Sequence, residues 1–142
     1  MTILVIDGQG GKLGRQLVKA VSERFPQAEL IAVGTNSAAT ANMLKGGAQR
    51  GATGENSVLV ACRRADIIVG PVGIVVADSL LGEVTPAMAA AVGQSQAVRI
   101  LVPINRCETL VAGVAGLPTS RLLEDAMDKI QTVLEKGEAE PC

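Results

Sequence analysis

The chain has 142 residues, with 13 Lys and Arg against 14 Asp and Glu for a formal net charge of −1, and it contains no His, Tyr or Trp. This length fits one domain with one core, and without clustered Lys and Arg neither nucleic acid nor an anionic membrane is an expected partner. The missing His excludes Ser-His-Asp and Cys-His nucleophile systems and every histidine-ligated zinc site, while the missing Tyr and Trp exclude a Tyr-Lys proton donor and aromatic stacking platforms.

Ile3-Leu4-Val5-Ile6 is a continuous apolar run of the kind buried on both faces of a parallel sheet. A glycine cluster follows, Gly8-Gln9-Gly10-Gly11-Lys12-Leu13-Gly14. Leu13, Leu17, Ala20, Val21 and Phe25 then recur at helical spacing until Pro26 stops the helix, and Leu30-Ile31-Ala32-Val33 reads as a second strand. The chain therefore opens with a βαβ unit.

Thr35-Asn36-Ser37 supplies an N-cap for a short helix through Leu44, ended by Gly46-Gly47. Ala48 to Ala52 is a weak third strand, Glu55 to Arg64 a helix, and Ile67-Ile68-Val69 a strand ended by Gly70-Pro71-Val72-Gly73. Ile74 to Leu81 has no decisive period. Thr85-Pro86 opens an alanine-rich helix over Met88 to Val92, Val98 to Ile104 is another strand, and Leu110 to Val114 is expected to be the last. Pro118-Thr119-Ser120 starts a final helix, which carries Leu122, Leu123, Ala126, Met127, Ile130, Val133 and Leu134 in one stripe and ends at Gly137. Strands and helices alternate throughout, so the expected fold is α/β: a single-domain, doubly wound parallel sheet of five or six strands over residues 1–137, with a frayed tail at 138–142.

No apolar run approaches the roughly 18 residues of a membrane span, and the N-terminus lacks a basic leader. Cys62, Cys107 and Cys142 are odd in number and unpatterned, which points to reduced thiols in a cytoplasmic protein. The high apolar fraction, 48% of residues, leaves surface for a subunit interface, so a homo-oligomer is expected.

In an open parallel sheet, ligands bind beyond the carboxyl ends of the strands, where strand order reverses. The Gly8–Gly14 loop falls there, with glycines that allow close backbone approach and amides at a helix start that face an anion. Its spacing is G-x-x-G-x-x-G through Gly8, Gly11 and Gly14. The alternative is a tight βα turn that holds nothing. No G-K-[ST] sequence is present, so a P-loop is disfavoured.

Gly8 to Gly14, set within Ile3 to Val33, resembles the Rossmann-type dinucleotide-binding superfamily, particularly members with the longer glycine spacing. Gly34-Thr35-Asn36-Ser37, Gly51 to Asn56, Gly70 to Ile74, Ala77 to Glu83 and Pro103 to Cys107 resemble a small bacterial family of unknown function found largely in anaerobes. The first resemblance implies a dinucleotide, NADP or NAD, held by Gly8, Gln9, Gly10, Gly11, Lys12, Leu13 and Gly14; the second implies a fold and no reaction. At the end of the second strand, where an Asp or Glu usually receives the ribose hydroxyls, Thr35, Asn36 and Ser37 stand instead. Small donors without a carboxylate tolerate a 2′-phosphate, which favours NADP, although no Arg stands beside them. FAD and a mononucleotide stay open, and Thr35 and Asn36 have helix capping as their alternative role.

A nicotinamide ring reaching past the first strand would lie near Gly70, Pro71, Val72 and Gly73, which form either a turn passing under the ligand or a plain loop. Asn105, Arg106 and Cys107 are the candidate catalytic cluster after a strand: Arg106 could bind a carboxylate or phosphate and depress the Cys107 thiol. Asp78 and Glu83 lie in an apolar stretch and either face the cleft, as acid–base groups or metal ligands, or solvate helix ends. No metal-ligand spacing stands out. The leading expectation is a small nucleotide-binding protein. An NAD(P)-dependent oxidoreductase subunit and a non-catalytic regulatory or scaffold subunit are the alternatives.

Overall fold

The computed structural model describes residues 1–104 and 108–137. Its elements run β1 (Thr2–Asp7), α1 (Lys12–Arg24), β2 (Glu29–Gly34), α2 (Ser37–Lys45), β3 (Arg50–Thr53), α3 (Glu55–Arg64), β4 (Ile67–Pro71), a 3-10 turn (Val72–Val75), α4 (Pro86–Gln94), β5 (Val98–Val102) and α5 (Thr119–Lys136). All strand pairs are parallel, in the order β3-β2-β1-β4-β5. This is the doubly wound α/β sheet expected from the alternation of elements.

The pleat divides the core in two. Ile3 and Val5 of β1, with Ile67 and Val69 of β4, face a cluster built by Leu13, Leu17 and Val21 of α1, Met43 of α2, and Met127 and Ile130 of α5. Leu4, Ile6 and Ile68 point the other way, onto Val58 and Cys62 of α3 and Met88 and Val92 of α4. Both faces of β1 and β4 are therefore covered, which is why these strands read as unbroken apolar runs rather than alternating ones. Strand β3 lies at the sheet edge with every residue exposed, matching its weak sequence signal. Burial pushes the Cys62 thiol up to about 11, so it behaves as an inert core residue.

Several boundaries differ from expectation. Strand β4 runs on through Gly70 and Pro71, both buried, because Gly70 lies against the Ile6 carbonyl of β1, where a side chain has no room. Val72 and Gly73 begin the 3-10 turn rather than completing a loop. Leu110 to Val114 forms no strand, and the sheet has five strands among the described residues. Leu110 is 90% exposed, and Gly113 has a left-handed backbone, so that stretch has neither neighbour nor conformation for pairing. Residues 138–142 lie outside the described residues.

Strand order reverses between β1 and β4: β1 leads outward to β2 and β3, and β4 outward to β5. The loops leaving β1 and β4 thus flank the one crevice that the topology makes. Ile68, fully buried at the centre of that division, tests the account of the core. Ile68→Ala is expected to lower unfolding free energy by about 2–5 kcal/mol in urea titrations, while a loss below about 1 kcal/mol would contradict close packing there.

Candidate functional site

The turn after β1 is organised by a residue that the sequence reading passed over. Asp7, 3% exposed, accepts hydrogen bonds from the Gly8 amide (2.8 Å) and the Gly14 amide (2.6 Å). Gly14 lies in the first turn of α1, so the carboxylate does the work of an N-cap that Gly11, having no side chain, cannot supply. Gly11 N–H closes the turn on the Gly8 carbonyl at 2.9 Å. The sequence signal was there: an acidic residue ending a buried strand immediately before a glycine turn.

The three glycines of the repeat answer to packing. A Cβ on Gly8 would come within 2.5 Å of Thr35 Oγ1 and 2.8 Å of Leu80 Cδ1. On Gly11, whose φ is +72°, it would meet the Ala39 backbone of α2 at 2.7 Å. On Gly14 it would meet Met43 Sδ at 2.6 Å and Asp7 Cβ at 2.7 Å. Gly10 differs, with nothing within 4 Å of such an atom and no left-handed φ. The spacing through Gly8, Gly11 and Gly14 therefore lets α1 and α2 seat close to the strand ends. Gly11 is consequently a poor probe of ligand binding, because a side chain there strains the fold itself.

Gln9 and Gly10 are exposed, Lys12 projects into water, and the Leu13 side chain is in the core, so Leu13 can offer a ligand only its amide. The amides of Gly10, Lys12 and Leu13 have no partner among the described residues. They open the helix of α1, where unpaired N–H groups and the helix dipole favour an anion. A hollow of about 410 Å³, lined by Lys12, Leu13, Gln16, Ile104 and Thr119, lies beside them.

The other side of the turn is occupied by a second carboxylate. Glu83 Oε1 accepts from Gln9 N–H (2.8 Å), Thr35 Oγ1–H (2.7 Å) and Asn36 Nδ2–H (2.7 Å), and so joins the turn to the end of β2. Asn36 also caps α2, its Oδ1 accepting from the Ala39 amide at 2.8 Å, and it donates to the Gln9 carbonyl at 2.9 Å. Asn36 therefore has the capping role weighed for it and also ties the turn to the end of β2, while Ser37 is the exposed first residue of α2. The strand end held to lack a carboxylate has one after all, delivered from 47 positions along the chain.

The segment that carries Glu83 is strained. Asp78, Leu80 and Leu81 have φ of +65°, +55° and +55°, and Gly82 follows at +86°. Left-handed backbone at non-glycine residues costs about 1–3 kcal/mol each. The segment is held by Ser79 Oγ–H donating to the Gly73 carbonyl (2.5 Å), by the Asp78 amide donating to the Val84 carbonyl (2.7 Å), and by burial of Leu80 and Val84. Of the two acidic residues singled out in this stretch, Asp78 is exposed on the lining of a hollow beside Gln9, while Glu83 bonds directly to the turn. A second hollow, of about 390 Å³, runs from Gln9 along Val76 to Leu81.

Gly70, Pro71, Val72 and Gly73 lie below this segment as strand and 3-10 turn. Asn105, Arg106 and Cys107 lie outside the described residues. Among the described residues no group of three or more potential metal ligands occurs, and no helix is long and apolar enough to cross a membrane.

The two carboxylates are driven in opposite directions. Burial pushes the Asp7 carboxyl up; hydrogen bonds from Gly14 and Gly8 pull it back, and the Glu83 charge adds to the rise. Burial also raises Glu83, but the bonds from Thr35, Gln9 and Asn36 together outweigh it and leave the group below the ordinary glutamate value.

This combination defines a Rossmann-like α/β protein with a glycine turn at its topological switch point. The chain belongs to the family described as a domain of unknown function (DUF3842), whose model matches residues 2–135. No curated protein matches it. Among solved structures it is similar to the dodecameric FMN-dependent UbiX-like decarboxylase from Escherichia coli O157:H7, with 18% identity and a TM-score of 0.45 over 93% of this chain and 75% of that one.

Two outcomes follow for this site. Gly11→Ala is expected to lower unfolding free energy by about 1–3 kcal/mol and Gly10→Ala to change it by less than about 0.5 kcal/mol; equal effects in urea titrations would contradict the packing role. With a raised folded value, Asp7 makes the native state bind more protons, so its contribution falls as pH rises through the window above about 3.9. Glu83, with a lowered value, stabilises fully above about 4.3 and loses that contribution as pH falls through its folded value. Between pH 3 and 7, Asp7→Asn should therefore remove a declining component of the stability profile and Glu83→Gln a rising one; profiles parallel to the parent would contradict both assignments.

Proposed function

We propose that this protein binds a phosphorylated nucleotide in the crevice between the loops leaving β1 and β4, with the phosphates at the start of α1. The observation that carries this reading is the set of unpaired amides at Gly10, Lys12 and Leu13, which open a 13-residue helix leaving the turn at the switch point of a parallel sheet, with a hollow lined by Lys12, Leu13, Gln16, Ile104 and Thr119 beside that helix start. Asp7 supports it by fixing the turn without consuming those amides, since its two partners are Gly8 and Gly14. Lys12 extends from the same turn and supplies a mobile positive charge to phosphate oxygens. Thr35 and Asn36 border the nucleoside side.

In this reading NAD and NADP are the dinucleotides that the turn would take, and a mononucleotide uses the same amides with fewer contacts. Calorimetric titration of NADH, NADPH, FAD, FMN and AMP into the full chain, in phosphate-free buffer, tests it. Binding of at least one, weakened about tenfold or more by Lys12→Glu, which sets a negative charge against the phosphates, is the expected result. Silence with all five at millimolar concentration would overturn the reading.

A further inference from the structure

A nucleotide-binding crevice of this topology normally carries, at the end of β2, an acidic side chain that accepts the ribose hydroxyls. Here β2 ends at Gly34 and is followed by Thr35 and Asn36, none of them acidic, and yet Glu83 brings a carboxylate to that place from the loop after β4. We propose that Glu83 is the specificity-determining residue of the crevice: it reads the free 2′,3′-diol of a ribose and rejects a ribose bearing a 2′-phosphate. This rests on the nucleotide reading above and narrows it.

The hydrogen-bond pattern distinguishes a reader from a stopper. One carboxylate oxygen, Oε1, is fixed by three donors from two different elements, while no partner of Oε2 exists among the described residues. A vicinal diol needs just such an acceptor, anionic and already oriented. The orientation is not left to a free side chain. Glu83 N–H donates to the Leu80 carbonyl and Val84 N–H to the Ser79 carbonyl, both at 3.2 Å, and Leu80 and Val84 on either side are buried, so the backbone that carries the carboxylate is anchored. Binding to a pre-oriented acceptor avoids the ordering cost that a mobile one would incur.

Charge supplies the discrimination. A 2′-phosphate at this strand end would meet Glu83 with Asp7 close enough to feel its charge, and no Lys or Arg side chain bonds to Thr35, Asn36 or Glu83 among the described residues. The absence of a basic residue beside Thr35, already evident in the sequence, then has a reason: the subsite is built for an uncharged sugar edge.

The test titrates AMP, 2′-deoxy-AMP and adenosine 2′,5′-bisphosphate, with NADH and NADPH as the dinucleotide pair, into the parent chain, Glu83→Gln and Glu83→Ala. The parent should bind AMP and NADH about ten- to a hundredfold more tightly than their 2′-deoxy or 2′-phosphorylated counterparts, the range expected for hydrogen bonds to a charged acceptor. Both variants should weaken AMP and close the gap to the bisphosphate. Glu83→Gln keeps an oxygen for Gln9, Thr35 and Asn36, so it decides the matter if Glu83→Ala fails to show a folded circular dichroism spectrum. Equal parent affinities, tighter binding of the phosphorylated ligand, or tighter AMP binding by the variants would each overturn the inference while sparing the nucleotide reading. Silence with every nucleotide overturns that reading, and this inference with it.

Discussion

The crevice depends on a buried acid. A chain leaving a central parallel strand must reverse within a few residues to lay its helix back over the sheet, and the reversal leaves amides pointing inward with no carbonyl to meet them. Asp7 meets two of them, at Gly8 and Gly14, from a position that is itself almost closed to water. Burial of that carboxylate is costly. The two amide bonds offset part of the cost, and its raised proton affinity shows that the offset is incomplete. Shape follows from this: with both ends of the turn tied to one side chain, Gly10, Lys12 and Leu13 are left at the rim with free N–H groups.

Glycine and strain then divide the labour. Gly8, Gly11 and Gly14 are required by the neighbours a Cβ would strike, namely Thr35 and Leu80, the Ala39 backbone, and Met43 with Asp7. They bring α1 and α2 close enough for the end of β2 to stand beside the turn. Across the crevice the chain does the opposite and holds Asp78, Leu80 and Leu81 in left-handed conformations that side chains disfavour. Leu81 is completely exposed by this arrangement, while Glu83 is turned inward. The strained backbone is the means by which a residue distant in sequence reaches the donors of Gln9, Thr35 and Asn36.

Much of the fold was legible because both faces of the central strands are buried. Ile3 to Ile6 and Ile67 to Val69 are continuous apolar runs for that reason, and α3 and α5 declare their ends through Gly54 with Glu55 and through Pro118 with Gly137. The glycine turn was equally visible as a spacing between a buried strand and a helix, although the neighbours that require it, Thr35, Ala39, Met43 and Leu80, lie beyond the first βαβ unit. What escaped is non-local. Nothing near Glu83 in sequence reveals that it joins residues 47 and 48 positions earlier, and left-handed leucines leave no compositional trace. Leu110 to Val114 misled for the converse reason: a short apolar run has strand composition, but the left-handed Gly113 and the exposed Leu110 and Ala112 leave it without a strand partner. Asp7 could have been found by asking which group satisfies the amides of the turn.

Amide-resolved nuclear magnetic resonance of the full chain during addition of AMP reads the claimed crevice most directly. The account predicts that the largest shifts fall on Gly10, Lys12 and Leu13 at the start of α1, together with Gln9, Thr35, Asn36 and Glu83. Shifts concentrated instead in the groove between α3 and α4, around Leu59, Ala87 and Ala91, or an unchanged spectrum at millimolar nucleotide, would contradict it.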